Sequence, residues 1–490
     1  MIKNFKWLVL VSLTFIACSS NDDDTTPVEV PVTAGSADFT KYVALGNSLT
    51  AGFSDNALFK KGQEGSYTNI LAQQFALVGG GEFRIPFCGD DNLGGLLIGG
   101  TPIQGTRLYF NGAAPVNVPG TPVTEVSNYL TGPFNNMGVP GAKSFHLVAP
   151  GYGNIAGVAS GASNPYYVRF ASSPTARIID DAVVQSPTFF SLWIGNNDVL
   201  SYATSGGVGV NQTGNLDPTT YGGNDITDPN VFASVYSGML DALTANGAKG
   251  VVANIPYVTS IPYFRTVPFN AIPLDEAKAT QLNAGFAQYN GGLAQAALAG
   301  LISADEKARR TITFQAGQNA VVMVDSYLTS LAALGLPSYR QATSEDLLVL
   351  PARTFLGTLV GGNAAAVNGL SVPLADSWVL SKDEVAEIKT AVDSYNVTIK
   401  ALADAKGLAF VDANAFLSQV YNGGIRFGNY HLSATYVTGG AFSLDGVHPS
   451  ARGYALIANK FMEAINAKYG STFRSVDLGN YPIQYPAILN

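Results

Sequence analysis

The sequence predicts an α/β protein organised on a parallel sheet with helices on both faces, and three observations predict it. Predominantly apolar runs of strand length recur at residues 42–45, 188–194, 250–255 and 408–411. Such runs belong to strands covered on both sides. Between them, apolar residues repeat at three- and four-residue spacing, the mark of helices with one buried face. Strand and helix therefore alternate, the pattern that generates crossover connections and parallel pairing. At 490 residues the chain exceeds the usual size of one core, so decoration of that sheet or a second domain is expected.

The elements follow in order. The run 42–45 ends at Gly46 and hands the chain to Ser48 at a strand-to-helix turn. Thr50 stands where a G-x-S-x-G elbow would need glycine, so that motif is excluded. Tyr67, Ile70, Leu71 and Phe75 form one face of a helix that stops at the glycines 79–81. Residues 82 to about 130 are rich in Gly and Pro without long periodicity and read as an irregular insertion with short strands. A short extended run over 134–142 ends in a glycine turn. The run 188–194, bounded by Pro187 and Gly195, delivers Asn196, Asn197 and Asp198 at its carboxyl end. Residues 204–230 read as a loop dense in Gly, Asn, Asp and Thr. Phe232, Val235, Tyr236, Met239 and Leu243 then mark a helix, and Leu282, Phe286, Tyr289 and Leu293 mark another. Residues 311–325 predict a β-hairpin around Gly317, Gln318 and Asn319, inside an insertion of about 305–380. Ser381 and Glu384 make a capping box. The helix it opens carries Val385, Ile388, Val392, Tyr395 and Ile399 and ends at Gly407. After the run 408–411, Asp445 and His448 occupy a loop before a helix whose buried face is Tyr454, Ala458, Phe461 and Ile465. Pro449 suits that helix's first turn.

The amino terminus has a separate character. Lys3 and Lys6 precede an apolar stretch, residues 7–17, too short to span a membrane, and Cys18 closes it. This resembles a bacterial lipoprotein signal, in which residues 1–17 are removed and Cys18 becomes the lipid-modified first residue. Residues 18–37 lack the apolar surface needed to fold and read as an acidic, flexible tether to a body over 38–490. The chain is thus expected in the cell envelope, held to the outer membrane through Cys18 and facing the periplasm or the surface. Only 13% of residues are charged, about half the usual ~25%, and the net charge of −8 excludes a phosphate-backbone partner. With Cys18 spent on the anchor, Cys88 alone remains and no disulfide framework forms.

Acyl transfer needs a nucleophile, a base, a group to orient the base, and donors for the oxyanion. Ser48 can attack, His448 can take its proton, and Asp445, three residues away, can fix the imidazole tautomer. A glycine turn lets a backbone N–H approach a substrate, making Gly141 a candidate donor, with Gly138 its neighbouring alternative. The Asn197 side chain, held at a strand end, is another. His146 and His431 show no metal-ligand spacing, so neither a metal nor another cofactor is expected.

The blocks GNSLTAGF (46–53), NNMGVPGA (135–142), GNND (195–198) and DGVHP (445–449) occur in the order and context of the SGNH/GDSL serine esterases and lipases. The chain resembles that family over most of its length after the tether, with Asn47 where the name-giving motif has Asp. The resemblance implies a flavodoxin-like three-layer α/β/α sandwich. It implies Ser48, Asp445 and His448 as the catalytic triad, with the Ser48 amide, Gly141 amide and Asn197 side chain as the oxyanion hole. Substrates would be small esters, acyl lipids or the acetyl and aryl esters of glycans, hydrolysed by a monomer. A catalytically silent surface lipoprotein that binds a glycan or partner on the same fold is the alternative.

Overall fold

A computed structural model describes residues 31–89 and 91–489. The signal segment and Cys18 lie outside the described residues. Five parallel strands form the central sheet: β1 (Tyr42–Gly46), β2 (Asn136–Gly138), β3 (Phe189–Trp193), β4 (Lys249–Ala253) and β5 (Ala409–Val411). Their spatial order is β2-β1-β3-β4-β5, the flavodoxin-like order, whose crevice lies at the carboxyl ends beside the reversal. The protein is thus a mixed α/β fold with a parallel sheet at its centre, as the apolar runs predict. Register aligns Gly46 with Gly138 on one side and with Trp193 on the other. The chain therefore leaves β1, β2 and β3 at one level. Gly46 has no room for a side chain: a Cβ there would lie 2.2 Å from Thr50 Oγ1 and 2.4 Å from the Trp193 carbonyl.

Helices cover both faces. On one, α2 (Tyr67–Ala76) packs on the carboxyl-terminal helix (Ala451–Tyr469), where Tyr67, Trp193 and Phe461 meet ring to ring. Before α2, Ser48–Ala51 forms the single-turn α1, and after β2 comes α3 (Ile178–Val183). The opposite face carries α5 (Pro229–Thr244), preceded by α4 (Asn197–Thr204). It also carries α8 (Lys382–Ala405), entered through the Ser381–Glu384 capping box. Phe232 of α5 and Tyr395 of α8 stack at 4.3 Å. After β5 follow α9 (Ala413–Tyr421) and α10, the helix Ala451–Tyr469. Ser450 caps α10 through the Gly453 amide, which leaves Pro449 outside the first turn where the sequence reading had placed it. Among the described residues no helix is long and apolar enough to cross a membrane.

Three expectations are corrected. Residues 33–37, read as tether, are fastened to the body: Ser36 donates to the Tyr469 carbonyl, Thr33 to Thr472 Oγ1, and Ala37 is buried. Residues 317–319 and 322–324 do not pair with each other. They pair antiparallel with 272–274 and 339–341 respectively, because Val322 and Phe314 are buried beside Phe286, and burial rather than the local turn fixes the register. Finally, the decoration between β4 and α8 begins well before residue 305. The short α6 (Pro262–Arg265) and the long α7 (Glu276–Leu298) belong to it. Leu282 and Phe286 of α7 pack into one satellite cluster and Leu293 into another, separate from the main core. Residues 82–130 form two short antiparallel ribbons, 96–98 with 101–104 and 108–110 with 115–117.

Candidate active site

Asn47 starts the site. Its Oδ1 caps α1 by accepting from the Leu49 amide, and its Nδ2 donates to Asn196 Oδ1. An aspartate there would keep the cap but lose the second bond as drawn, so the amide is what ties the β1 turn to the β3 turn. Ser48, 7% exposed, is thereby set at the first position of α1, where an N–H has no intrahelical partner.

The hydroxyl of Ser48 lies 2.9 Å from His448 Nε2, across 400 residues of sequence. His448 Nδ1 lies 2.8 Å from Asp445 Oδ2. A carboxylate on Nδ1 keeps the proton there and leaves Nε2 to accept from the serine. The loop closes on itself locally, with the Ser443 amide donating to the His448 carbonyl. Asp445 Oδ1 accepts from the amides of Val447 and His448 and from Ser443 Oγ, and Oδ2 also accepts from the Asn56 amide. Burial alone would raise this carboxyl, but the imidazole and these donors outweigh it and hold Asp445 below the ordinary carboxylate range. The Phe53 ring covers His448 at 4.6 Å.

The second and third turns meet at Asn197. Its Nδ2 donates to the Ala142 carbonyl at 2.9 Å, leaving the other amide hydrogen unused by that bond. Gly141 itself is exposed, with φ +82°, a conformation glycine adopts without strain. Among the described residues neither its amide nor that of Ser48 has a hydrogen-bond acceptor. The Gly138 amide is already given to Asn136 Oδ1 at 2.9 Å, so it is the weaker of the two glycine candidates. Asp198, fully buried, holds the same turn by accepting from both the amide and the hydroxyl of Ser144. Burial raises its pKa against those bonds and the nearby Lys143. His146 stacks on Tyr152 at 4.3 Å and accepts the Lys143 amide. Burial and Lys143 depress it to about 3, which makes it a neutral structural histidine. His431 contacts the Gly423 carbonyl instead.

The sequence reading missed Asp55 and Asn56. Both have left-handed backbones, φ +51° and +64°, uncommon away from glycine and retained where the surroundings enforce them. Asp55 donates its amide to Ser443 Oγ and accepts from the Leu444 amide, and Asn56 reaches Asp445 directly. Burial pushes the Asp55 carboxyl up to about 7, against the Leu444 hydrogen bond and with Asp445 adding to the rise. An Asp-Asn pair tolerates such a turn, a signal present but weak in the sequence.

A cavity of about 90 Å³ opens beside Ser48, His448 and Asn197. Its other walls are mainly apolar, including Leu200, Ile261, Phe416, Leu417 and Leu456. With a hydroxyl set against an imidazole and uncommitted amide donors at its polar end, the arrangement has the shape and polarity for a carbonyl whose apolar substituent enters the cavity.

The chain matches no protein-family profile and no curated protein. Among solved structures it is similar to LAE5, an α/β hydrolase from the metagenome of Lake Arreo, Spain, with 11% identity over 88% of this chain and 96% of that one and a TM-score of 0.32. A mutant of Axe2, an acetyl-xylooligosaccharide esterase from Geobacillus Stearmophilus, shows 11% identity, the same coverage and a TM-score of 0.30. An extracellular lipase from Streptomyces rimosus shows 13% identity over 88% of this chain and 99% of that one, with a TM-score of 0.27. Likenesses this slight assign no activity.

Proposed function

We propose that the chain is an SGNH/GDSL-type serine hydrolase of carboxylic esters, anchored through a lipidated Cys18 in the cell envelope. The observation that carries the reading is the unbroken line from Asp445 Oδ2 through His448 to Ser48 Oγ, at 2.8 and 2.9 Å. In the first half-reaction Ser48 Oγ bonds to the ester carbonyl carbon while its proton passes to His448 Nε2. The oxyanion forms against the amides of Ser48 and Gly141 and the Asn197 side chain. Collapse breaks the bond to the alcohol, which leaves with the proton from His448. Water then attacks the acyl carbon while its proton passes to His448 Nε2, and collapse breaks the bond to Ser48 Oγ, which takes that proton from His448 as the acid leaves. Asp445 stays ionised and stabilises the imidazolium in each half. The apolar cavity takes the acyl substituent. Acyl lipids and esterified glycans are the substrate classes, and the outer membrane is the site of anchoring.

A fluorophosphonate probe tests this. It labels the wild-type chain, and Ser48→Ala abolishes both labelling and hydrolysis of a short aryl ester with the melting temperature unchanged. Retained turnover in Ser48→Ala overturns the assignment. Incorporation of labelled fatty acid that Cys18→Ser eliminates tests the anchor separately.

A further inference from the structure

Outside that cavity, a second and much larger hollow of about 870 Å³ has a composition at odds with the rest of the chain. It is lined by Arg265, Arg353, His431, Phe110, Tyr421 and Tyr436 together with serine and threonine hydroxyls, and among the described residues by no aspartate or glutamate. In a chain with 35 acidic and 27 basic side chains, a groove with two guanidiniums and no carboxylate is a local reversal of charge. Among the described residues neither arginine has an ion-pair partner. Arg265 lies over the Tyr421 ring at 5.0 Å and donates to the Thr259 carbonyl. The groove is assembled from three separate decorations: the ribbon at Phe110, the block carrying α6 and Arg353, and the segment after β5 holding His431 and Tyr436.

The groove also borders the proposed chemistry. Tyr436 donates its hydroxyl to the Leu444 carbonyl, beside Asp445, and the Tyr263 amide of α6 donates to the Gly446 carbonyl. On α9, Val420 lines the cavity at Ser48 while the adjacent Tyr421 lines the groove. The loop at 443–448 thus separates an apolar cavity from a cationic, aromatic groove. We propose that this groove receives an anionic group, carboxylate or phosphate, carried on the alcohol portion of the ester, so that the substrate is an acyl ester of an acidic alcohol. Guanidinium forks match either anion in a bidentate way, and the three aromatic faces and the hydroxyls suit a polar, hydroxylated carrier. The inference rests on the hydrolase reading for its chemistry.

Two matched pairs of esters test it, with the acyl chain held constant. Octanoyl-glycerol phosphate is compared with octanoyl-glycerol, and octanoyl-glucuronate with octanoyl-glucose. The anionic member of at least one pair shows kcat/KM higher by about 10-fold or more, and the gap narrows as salt rises. Which pair responds tells a phosphate carrier from a sugar acid. Arg353→Gln, and Arg265→Gln with Arg353→Gln together, erase the preference and leave hydrolysis of a neutral aryl ester unchanged. Equal rates within both pairs, or a preference that survives the double variant, overturn the proposal while the hydrolase reading stands. If Ser48 takes no probe and the aryl ester is not cleaved, that reading fails instead. The groove is then judged by calorimetric titration of the full-length chain with glycerol phosphate and glucuronate. Heat of binding lost in the arginine variants supports it, and no binding overturns it.

Discussion

The carboxyl edge of the sheet and the block between β4 and α8 solve different problems with the same chain. At the edge, Ser48, Gly141 and Asn197 come from turns two to four residues past a strand, Asp445 and His448 come from the loop before α10, and the strands are locked in register. Polar atoms there are bonded to one another across turns, as in Asn47 to Asn196 and Asn197 to Ala142. The block joins the main core through residues such as Ile261, Phe264, Met323 and Leu348 but adds small cores of its own around Phe286 and Leu293, and its buried charges are neutralised internally. Arg340 pairs with both Asp325 and Asp346, and Arg310 with Glu306. It meets the edge through the Tyr263 bond to Gly446 and through Pro256 and Ile261 in the wall of the cavity at Ser48. One region holds the candidate site groups in position; the other is a decoration, partly rooted in the main core, that shapes what surrounds them.

That contrast can be broken from either side. Ser48→Ala should cost on the order of 10⁶ in turnover, with thermal unfolding unmoved, and a steady-state assay beside a melting curve reads both. Asn197→Ala should cost about 10²–10³ in kcat with KM little changed. A loss confined to melting temperature would make Asn197 a turn-closing residue only. Arg340→Met leaves two buried carboxylates without their cation and should destabilise by about 3–5 kcal/mol. Turnover per folded molecule on a neutral aryl ester should nevertheless be unchanged, and denaturant unfolding followed with that assay checks the pair. If the rate falls as well, the charge cluster at Arg340 also positions the edge.

Asp55→Asn sharpens the edge itself. The carboxyl is raised from 3.8 to about 7 in the folded protein, so its protonated form is favoured by folding. The stability it contributes is complete below its unfolded value and is lost as pH rises through about 7. The variant, which keeps the Leu444 bond but cannot ionise, should therefore gain on the wild type between those limits, as melting temperatures across pH will reveal. Smallest of all, Asn47→Asp should cost about 1 kcal/mol through the lost bond to Asn196, visible as a modest drop in melting temperature.

The strands of the sheet were legible because each is a predominantly apolar run or ends at a marked turn. The capping box at Ser381 and the buried face of α10 were legible because helix periodicity is local. Ser48, Asp445 and His448 stood out through residue type and short spacing, but nothing in the sequence measures the gap that the fold closes between them. What escaped was non-local. The periodicity of Leu282, Phe286, Tyr289 and Leu293 announced a helix without saying which core would receive it. The strand at 317–319 found its partner some forty-five residues earlier, across α7. Asp55 and Asn56 took up a backbone that only their neighbours enforce.

The span between Ser48 and His448 has a consequence for the timing of biogenesis. A growing polypeptide presents its serine turn 400 residues before its imidazole, so on the proposed reading it is harmless to the esters around it until His448 is made. Arg107, seated early in the chain, grips the carbonyls of Pro486 and Ala487. The segment that follows α10 thereby fastens onto the decoration around residues 82–130, and competence for hydrolysis would arrive only once both flanks of that grip have been made.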